Sequence, residues 1–246
     1  METTLEELLV KGAAGFGVHF GENEVTLYFK YLRQLLEWNE KVNLTAIKAP
    51  DEIVIKHFLD SISLLPYLQQ KEKIRLLDVG SGAGFPGVPL KIANPEIDVV
   101  LLDSLKKRIL FLDSLITELN LKGVTTVHGR AEDYGHCKGY REGFNVVTSR
   151  AVAKLSVLAE LCLPFVRVGG VFAAYKGPRG KEELIEAENA LKILGGKLTR
   201  LVEISLPQTD ETRMLIIIRK EKATPQKYPR KAGTPEKKPL CKHQHL

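Results

Sequence analysis

The sequence predicts an α/β fold in which a mostly parallel sheet carries helices on both faces. Two observations predict it. After residue 73, short apolar stretches alternate with amphipathic, helix-like stretches, which is typical of βαβ units. The apolar segment 74–79 also runs directly into a glycine-rich turn, residues 80–87, and a segment of helical character follows. Such a turn brings the backbone N–H groups of a helix N-terminus close to a ligand.

Seven strands are expected, over residues 74–79, 98–103, 124–128, 144–148, 171–175, 198–206 and 214–218, with intervening helices over 105–120, 153–163 and 181–194. Only residues 207–213 join the last two strands, so these two should pair antiparallel. A mostly parallel, seven-stranded, Rossmann-like sheet with one reversed strand near its edge is the arrangement of class I methyltransferases. The sequence therefore predicts this fold class.

The chain divides into three parts. Residues 1–70 form a predicted helical extension, because apolar residues recur at helical spacing over 25–38 and again over 53–65. Gly12, Gly15 and Gly17 are expected to separate a short first helix from the rest. Residues 71–220 form the predicted methyltransferase domain, with Lys71 to Lys73 as polar punctuation before the first strand, and residues 221–246 form a tail expected to be irregular.

Composition excludes several protein classes. The 246 residues are 44% hydrophobic, enough for a real core, but no apolar run has the length needed to span a bilayer. The acidic N-terminus lacks the layout of a signal peptide. Three widely spaced cysteines form neither a metal-binding pattern nor a disulfide framework. We therefore expect a cytoplasmic protein with no membrane partner and no metal site.

The positive charge is concentrated in the tail. The formal net charge is +6, and residues 219–246 contain nine basic and two acidic residues, which leaves a net charge of −1 for the remainder. A basic tail fits an anionic polymer as partner. The alternative is a solvated tail that aids solubility.

Acidic residues at the ends of three consecutive strands favour S-adenosylmethionine as the cofactor. Asp103 is placed to accept hydrogen bonds from ribose hydroxyls, and Glu132 to accept one from the adenine amino group beside a backbone N–H, that of Ala131. Asp78, before the Gly80-x-Gly82-x-Gly84 turn, suits the ammonium group of the methionine end. No Walker-type phosphate loop is present. The alternatives are a buried helix-cap partner for Asp78, a helix N-cap for Asp103 and a solvated loop for Glu132.

The chain resembles the GidB/RsmG family, bacterial methyltransferases of small-subunit ribosomal RNA. The matching segments follow one another along nearly the whole chain: Trp38-Asn39, Asn43-Leu44-Thr45, His57 with Asp60-Ser61, Asp78 to Gly87, Asp103-Ser104 with Lys106 to Arg108, Gly129 to Glu132, Val147 to Ala151, Tyr175-Lys176-Gly177 and Tyr228 to Pro235. The Phe85-Pro86-Gly87 ending and the tail are the most specific of them.

The resemblance implies methylation of guanine N7 in 16S ribosomal RNA with S-adenosyl-L-methionine as cofactor. A monomer is expected, although no residue pattern determines the oligomeric state. The residues agree in a limited way. The Asn/Asp-Pro-Pro-aromatic motif of exocyclic-amine methyltransferases is replaced by Thr148-Ser149-Arg150-Ala151. Cys162 lies in an apolar helix and is most simply a core residue. Guanine N7 has a lone pair and no proton to remove, so no general base is required and no catalytic acid or base is assigned.

The resemblance also implies individual residues. Arg150 lies beside the cofactor, holding the target nucleotide or shaping the pocket; its alternative is an ion pair with Asp78 or Glu132. Ser104 and Phe85 would contact the cofactor, with core packing as the alternative for Phe85. Candidate phosphate contacts are Lys176, Arg179, Arg230 and Lys231. His57 is expected outside the site, as a structural histidine. Lys56 stands where many relatives are expected to have arginine, so no role is carried over there.

Two other functions stay open. A methyltransferase of a small molecule or protein should not depend on the basic tail. A non-catalytic module for RNA binding or ribosome assembly could retain the fold and bind no cofactor, or bind it without using it.

Overall fold

The computed structural model describes residues 4–68, 73–150 and 153–241. The predicted boundary between residues 70 and 71, the punctuation residues Lys71 and Glu72, and Ala151 lie outside the described residues, and the division into three parts stays a prediction.

The sheet has seven strands in the order β3-β2-β1-β4-β5-β7-β6. They are β1 (Arg75–Val79), β2 (Asp98–Asp103), β3 (Val124–His128), β4 (Phe144–Arg150), β5 (Val166–Lys176), β6 (Gly196–Ser205) and β7 (Thr212–Lys220). β7 is antiparallel to both β5 and β6, and the other neighbours are parallel. The class I methyltransferase arrangement is therefore confirmed. The expected start of β5 at residue 171 is wrong, because β5 begins before Gly169 and Gly170 and its register to β4 shifts there.

The described residues form ten α-helices, one π-helical segment and two 3₁₀ turns. The α-helices are α1 (Leu5–Gly15), α2 (Glu22–Val42), α3 (Pro50–Ile53), α4 (Asp60–Ile62), α5 (Gly87–Ala93), α6 (Lys106–Glu118), α7 (Ala131–Tyr134), α8 (Leu155–Cys162), α9 (Gly180–Leu194) and α10 (Thr234–Lys237). A π-helical segment, Val54–Leu59, joins α3 to α4, and 3₁₀ turns occupy Leu65–Tyr67 and Leu163–Phe165. None of the helices in the described part is long and apolar enough to cross a membrane.

Alternation along the strands produces two hydrophobic layers. Leu76, Leu101 and Ile217 face one layer, which also contains residues of α1, α2, α5 and α6. Leu77 and Ile218 face the other layer, together with α8 and α9. Successive side chains of a strand point to opposite faces, so each strand contributes to both layers. The N-terminal helices thus cover one face of the sheet, beside α5 and α6.

Glycine in α1 allows a close helix contact. Gly12, Gly15 and Gly17 were expected to separate a short first helix; that helix, α1, is present and Gly15 is its last residue, but Gly12 lies inside it. A Cβ atom at Gly12 would lie 2.3 Å from Leu59 Cδ1, at the end of the π-helical segment. Glycine here permits the two helical segments to approach closely, and Gly17, two residues after the helix ends, adopts a φ of +72°.

The basic tail is anchored to the sheet domain. Residues 221–241 are largely irregular, as expected, apart from α10. Arg141 donates hydrogen bonds to the carbonyl oxygens of Thr224 (2.7 Å) and Tyr228 (2.8 Å). Tyr228 is itself buried in the layer that contains α8. These hydrogen bonds pair carbonyl groups of the tail that would otherwise lack a partner, and they hold the tail against the rest of the protein.

Two tyrosines of α2 connect the N-terminal helices to the glycine turn. Tyr28 Oη donates to Pro89 O at 2.8 Å, and Tyr31 Oη donates to Ala83 O. The Tyr31 ring also stacks on Phe85, with centroids 5.3 Å apart. Both tyrosines are fully buried. The N-terminal helices therefore fix the position of the glycine turn through buried hydrogen bonds.

We expect Tyr31→Phe to lower the free energy of unfolding by about 1–2 kcal/mol, because the substitution removes the buried donor of Ala83 O. Urea denaturation measures the change, and Tyr67→Phe, at a half-buried ring away from the turn, is the control. A Tyr31→Phe protein as stable as the parent would show that this hydrogen bond does not hold the turn.

Candidate functional site

The turn between β1 and α5 depends on glycine. Gly80, Gly82 and Gly84 have φ angles of +72°, +59° and +96°, in the left-handed region that residues with a Cβ rarely adopt. At Gly84 there is also no space for a side chain, because a Cβ atom would lie 2.8 Å from Tyr31 Oη and 2.8 Å from Val88 Cγ2. The backbone of this turn can therefore come close to whatever the neighbouring cavity holds.

Asp103, at the end of β2, fixes the turn from one side. Its Oδ2 accepts hydrogen bonds from Gly82 N (2.9 Å) and from Arg108 Nη1 (3.2 Å), and its Oδ1 accepts one from Leu105 N (2.9 Å). A carboxylate offers about four acceptor positions. Three of them are used within the chain, so about one remains for a ligand.

Asp78, at the end of β1, lies beneath the turn. It is completely buried, and it accepts hydrogen bonds from Gly87 N (3.0 Å) and from Thr148 Oγ1 (3.3 Å). Burial raises the pKa of this carboxyl group from 3.8 to about 7. Asp78 does not line the cavity above the turn. Its contacts fit the alternative interpretation, a helix-cap partner, better than a contact with the cofactor.

A cavity of about 350 Å³, the turn cavity, opens above the glycine turn. It brings together six residues predicted for the cofactor: Gly80, Gly82, Phe85, Asp103, Ser104 and Arg150. The rest of its lining is Leu44, Thr45, His57, Ser81, Ala83 and Arg108. Leu44, Thr45 and His57 come from the N-terminal part of the chain, so the two predicted domains build this cavity together.

The expectation that His57 lies outside the site is wrong, because its ring forms part of the cavity wall. The ring stacks on Phe85 with centroids 4.5 Å apart. Its Nε2 lies 2.8 Å from Thr45 Oγ1, and its Nδ1 lies 3.1 Å from Arg150 Nη2. Burial, with the nearby Arg150 guanidinium, lowers the pKa of His57 from 6.5 to about 3, so the imidazole is neutral. His57 lies in the π-helical segment Val54–Leu59. The spacing of apolar residues in the sequence did not predict this segment.

Arg150, at the end of β4, is held on three sides. Its Nη1 donates to Asp60 Oδ2 (2.9 Å) and to Lys56 O (3.1 Å), and its guanidinium carbon lies 4.8 Å from the Phe85 ring centroid. The sequence allowed an ion pair with Asp78 or Glu132 as the alternative to a site role, but the observed partner is Asp60. Arg150 nevertheless reaches the cavity wall.

Three other predicted residues do not line the turn cavity. Gly84 lies behind it, packed against α2. Ala131 and Glu132, at the start of α7, are absent from its lining. Glu132 Oε1 instead accepts a hydrogen bond from Gly233 N of the tail at 3.2 Å. It also lines a separate surface cavity of about 610 Å³ between α7 and the tail.

The four candidate phosphate contacts differ in their surroundings. Lys176 is 8% exposed and lies 2.7 Å from Glu183 Oε2. Arg230 pairs with Glu160 at 2.6 Å, which fastens the tail to α8. Arg179 lies on the surface, beside Glu182. Lys231 is exposed. The net charge of the tail does not indicate that Arg230 has a buried partner, Glu160. The role of Arg230 in anchoring the tail was therefore not predicted.

A second cavity of about 290 Å³, the side cavity, shares His57 and Arg150 with the turn cavity. Its other lining residues include the cations Lys56, Lys176 and Arg213 and the carboxylates Asp60 and Glu183. Sequence reasoning did not identify Arg213, because β7 carried only a strand signal.

Metal-binding and thiol chemistry have no evident site in the described residues. No group of three or more His, Cys, Asp or Glu side chains could hold a metal ion there. Cys162 is completely buried in the layer beneath α8, while Cys137 is exposed and Cys241 half-buried. A methyl-transfer route through a cysteine nucleophile therefore has no support.

The family model described as rRNA small subunit methyltransferase G matches residues 25–212. The chain belongs to this family, GidB. A protein of that name from Acetivibrio thermocellus is 51% identical over 239 residues, which cover 97% of this chain and 98% of the relative. The one from Lactobacillus johnsonii is 50% identical over 237 residues, covering 95% and 99%.

Solved structures share the fold at low sequence identity. A SAM-dependent methyltransferase from Aquifex aeolicus has a TM-score of 0.52 at 17% identity, covering 72% of this chain and 96% of its own. The [4+2]-cyclase SpnF has a TM-score of 0.53 at 13% identity, covering 66% and 81%. One fold thus carries different chemistry, and the reaction is determined by the residues of the site and not by the fold.

We expect His57 to remain neutral between pH 5 and pH 8. His57 binds a proton below about pH 6.5 in the unfolded chain but only near pH 3 in the folded chain. The free energy of unfolding should therefore fall as the pH is lowered from about 6.5 towards 3. Long-range ¹H–¹⁵N spectra report the ring, and His57→Gln identifies its signals. A titration midpoint near 6.5 would contradict the neutral imidazole.

Proposed function

We propose that this protein transfers a methyl group from S-adenosylmethionine to N7 of a guanine in the 16S RNA of the small ribosomal subunit. The observation that best supports this function is the turn cavity, which is lined by the glycine turn and Asp103. It shares His57 and Arg150 with the side cavity, which is lined by several cations. Membership of the GidB family, whose members bear the name of an rRNA methyltransferase, supports the substrate class.

The residues of the turn cavity fit S-adenosylmethionine. The remaining acceptor position of Asp103 suits a ribose hydroxyl, which is a donor. Backbone N–H groups of the turn suit the carboxylate of the methionine end. Phe85 and Ser104 complete the contacts. Ala131 N and Glu132 remain the proposed adenine contacts, although Glu132 shares its carboxylate with the tail.

When bound, the cofactor supplies an electrophilic methyl group on a sulfonium centre. The protein has no proton to remove from guanine N7, which attacks through a lone pair in the plane of the ring. His57 is neutral and is engaged by Arg150 and Thr45, so it is not required as a base. The residues contribute by positioning the substrates. Holding guanine N7 in line with the methyl group of the cofactor makes the reaction effectively unimolecular.

The side cavity is where the target nucleotide would approach. It meets the turn cavity at His57 and Arg150. Its lining includes the cations Lys56, Lys176 and Arg213, which suit the phosphates of a nucleotide. Glu211 pairs with Lys56 and Arg213, and Glu183 pairs with Lys176, so a phosphate would replace a carboxylate partner there. A base of folded RNA must leave its stack to enter such a space.

Outside these cavities, the exposed Arg179 and Lys231 remain the proposed phosphate contacts. Arg230 contributes to RNA binding by anchoring the tail to Glu160. We propose a cytoplasmic monomer whose substrate is ribosomal RNA. A methyltransferase of small molecules or proteins is the competing function, since the fold alone also fits it.

Labelled S-adenosylmethionine and small subunits from cells that lack the endogenous enzyme test the proposal. We expect label in N7-methylguanosine at one site. Asp103→Asn should weaken S-adenosylhomocysteine binding by tenfold or more, since an amide offers fewer acceptor positions (about 1.5 kcal/mol or more). Arg150→Ala should lower transfer as well.

The matched control is Asp98→Asn, at the opposite end of the same strand, which should bind and transfer as the parent does. If S-adenosylhomocysteine binds but neither subunits nor bare rRNA take up label, the ribosomal substrate is wrong and the competing function gains support.

A further inference from the structure

The loop that carries Thr45 is fixed more firmly than a surface connection requires. Asn39, at the end of α2, grips the backbone of Thr45 in both directions: Asn39 Nδ2 donates to Thr45 O at 2.9 Å, and Thr45 N donates to Asn39 Oδ1 at 2.9 Å. Asn39 is 6% exposed. The position of the Thr45 hydroxyl, in the wall of the turn cavity, is therefore set by the fold.

The hydrogen bonds of His57 define its tautomer. Arg150 Nη2 is always a donor, so the His57 Nδ1 at 3.1 Å must accept. Lys56 O also lies 3.2 Å from Nδ1, but a hydrogen on Nδ1 would place two donors, Nδ1 and Arg150 Nη2, against each other, whereas Lys56 O accepts from Arg150 Nη1 at 3.1 Å. The imidazole proton of the neutral ring consequently lies on Nε2, and it donates to Thr45 Oγ1 at 2.8 Å.

The Thr45 hydroxyl is left with only one role. Its oxygen accepts from His57 Nε2 and also from Ile47 N, at 3.2 Å. A hydroxyl has two acceptor positions and one hydrogen. With both acceptor positions filled, the oxygen can only donate to a further group, and the cavity is the space beside it.

The group that accepts this hydrogen belongs to whatever fills the turn cavity. Thr45 lines that cavity, whereas the lining of the side cavity contains His57 and Arg150 but not Thr45. An acceptor on the target base is therefore disfavoured. Within S-adenosylmethionine the carboxylate accepts and cannot donate, while ribose hydroxyls can satisfy Asp103.

We propose that Thr45 is a directed hydrogen-bond donor to the carboxylate of the bound cofactor, with its hydrogen aimed by the Arg150–His57 contact. This inference rests on the proposed function only in that the turn cavity holds S-adenosylmethionine. It makes Thr45 a residue that selects cofactors with an intact amino-acid end, and it gives Arg150 a second role, as the group that sets the polarity of the chain of hydrogen bonds.

The test compares two ligands by calorimetry: S-adenosylhomocysteine and S-adenosyl-3-thiopropylamine, which is the same molecule without its carboxyl group. Thr45→Val, which keeps the shape and removes the hydroxyl, should weaken S-adenosylhomocysteine about ten- to a hundredfold. It should leave the affinity for the decarboxylated ligand within about threefold of the parent. Thr45→Ser, which keeps the donor, should restore the preference for the carboxylated ligand.

An equal loss for both ligands would show that Thr45 only supports the shape of the cavity, and an unchanged affinity for S-adenosylhomocysteine would show that its hydroxyl meets no ligand. Either result overturns the inference. If Thr45→Val does not fold, Thr45→Cys, with a weak donor, should lose affinity selectively for the same ligand. The binding assay needs no RNA, so the two proposals can fail separately. If the parent prefers the carboxylated ligand as expected but transfers no methyl group to subunits, only the proposal of a ribosomal substrate is wrong.

Discussion

The hydrogen bonds between the Asp103 carboxylate and the backbone of Gly82 and Leu105 are the interaction on which the site depends. They join the end of β2 to the turn that follows β1, two neighbouring parallel strands. Parallel neighbours bring their carboxyl ends to one edge of the sheet, where a ligand of an open α/β fold binds. Gly80 N and Ser81 N also donate to Leu102 O of β2, so backbone and side-chain hydrogen bonds together fix the position of the turn relative to β2.

The N-terminal helices are part of the site as well as a cover for the sheet. Tyr31 donates a hydrogen bond to the turn at Ala83 O, while Thr45 and His57 line the turn cavity beside it, the His57 ring stacked on Phe85. The same segment carries Asp60, the ion-pair partner of Arg150. Since these contacts join sheet and extension through buried hydrogen bonds, damage to the extension should impair ligand binding and fold together.

Local sequence predicted the features that local rules govern. Strand alternation, the glycine turn and Asp103 follow from periodicity and from the chemistry of strand ends, and the structure brings them together. His57, Thr45 and Arg213 could not be predicted, because they reach their cavities through tertiary packing of a π-helical turn, a loop and a reversed strand. Charge alone also could not indicate that Arg230 pairs with Glu160, a buried residue on a helix 70 residues earlier in the chain.

A crystal structure of the protein with S-adenosylhomocysteine would show whether the turn cavity holds the cofactor. We expect the ligand in the turn cavity, with a ribose hydroxyl on Asp103 and the methionine end over the glycine turn. A ligand bound instead between α7 and the tail, or on the outer side of the sheet away from Asp103, would contradict it.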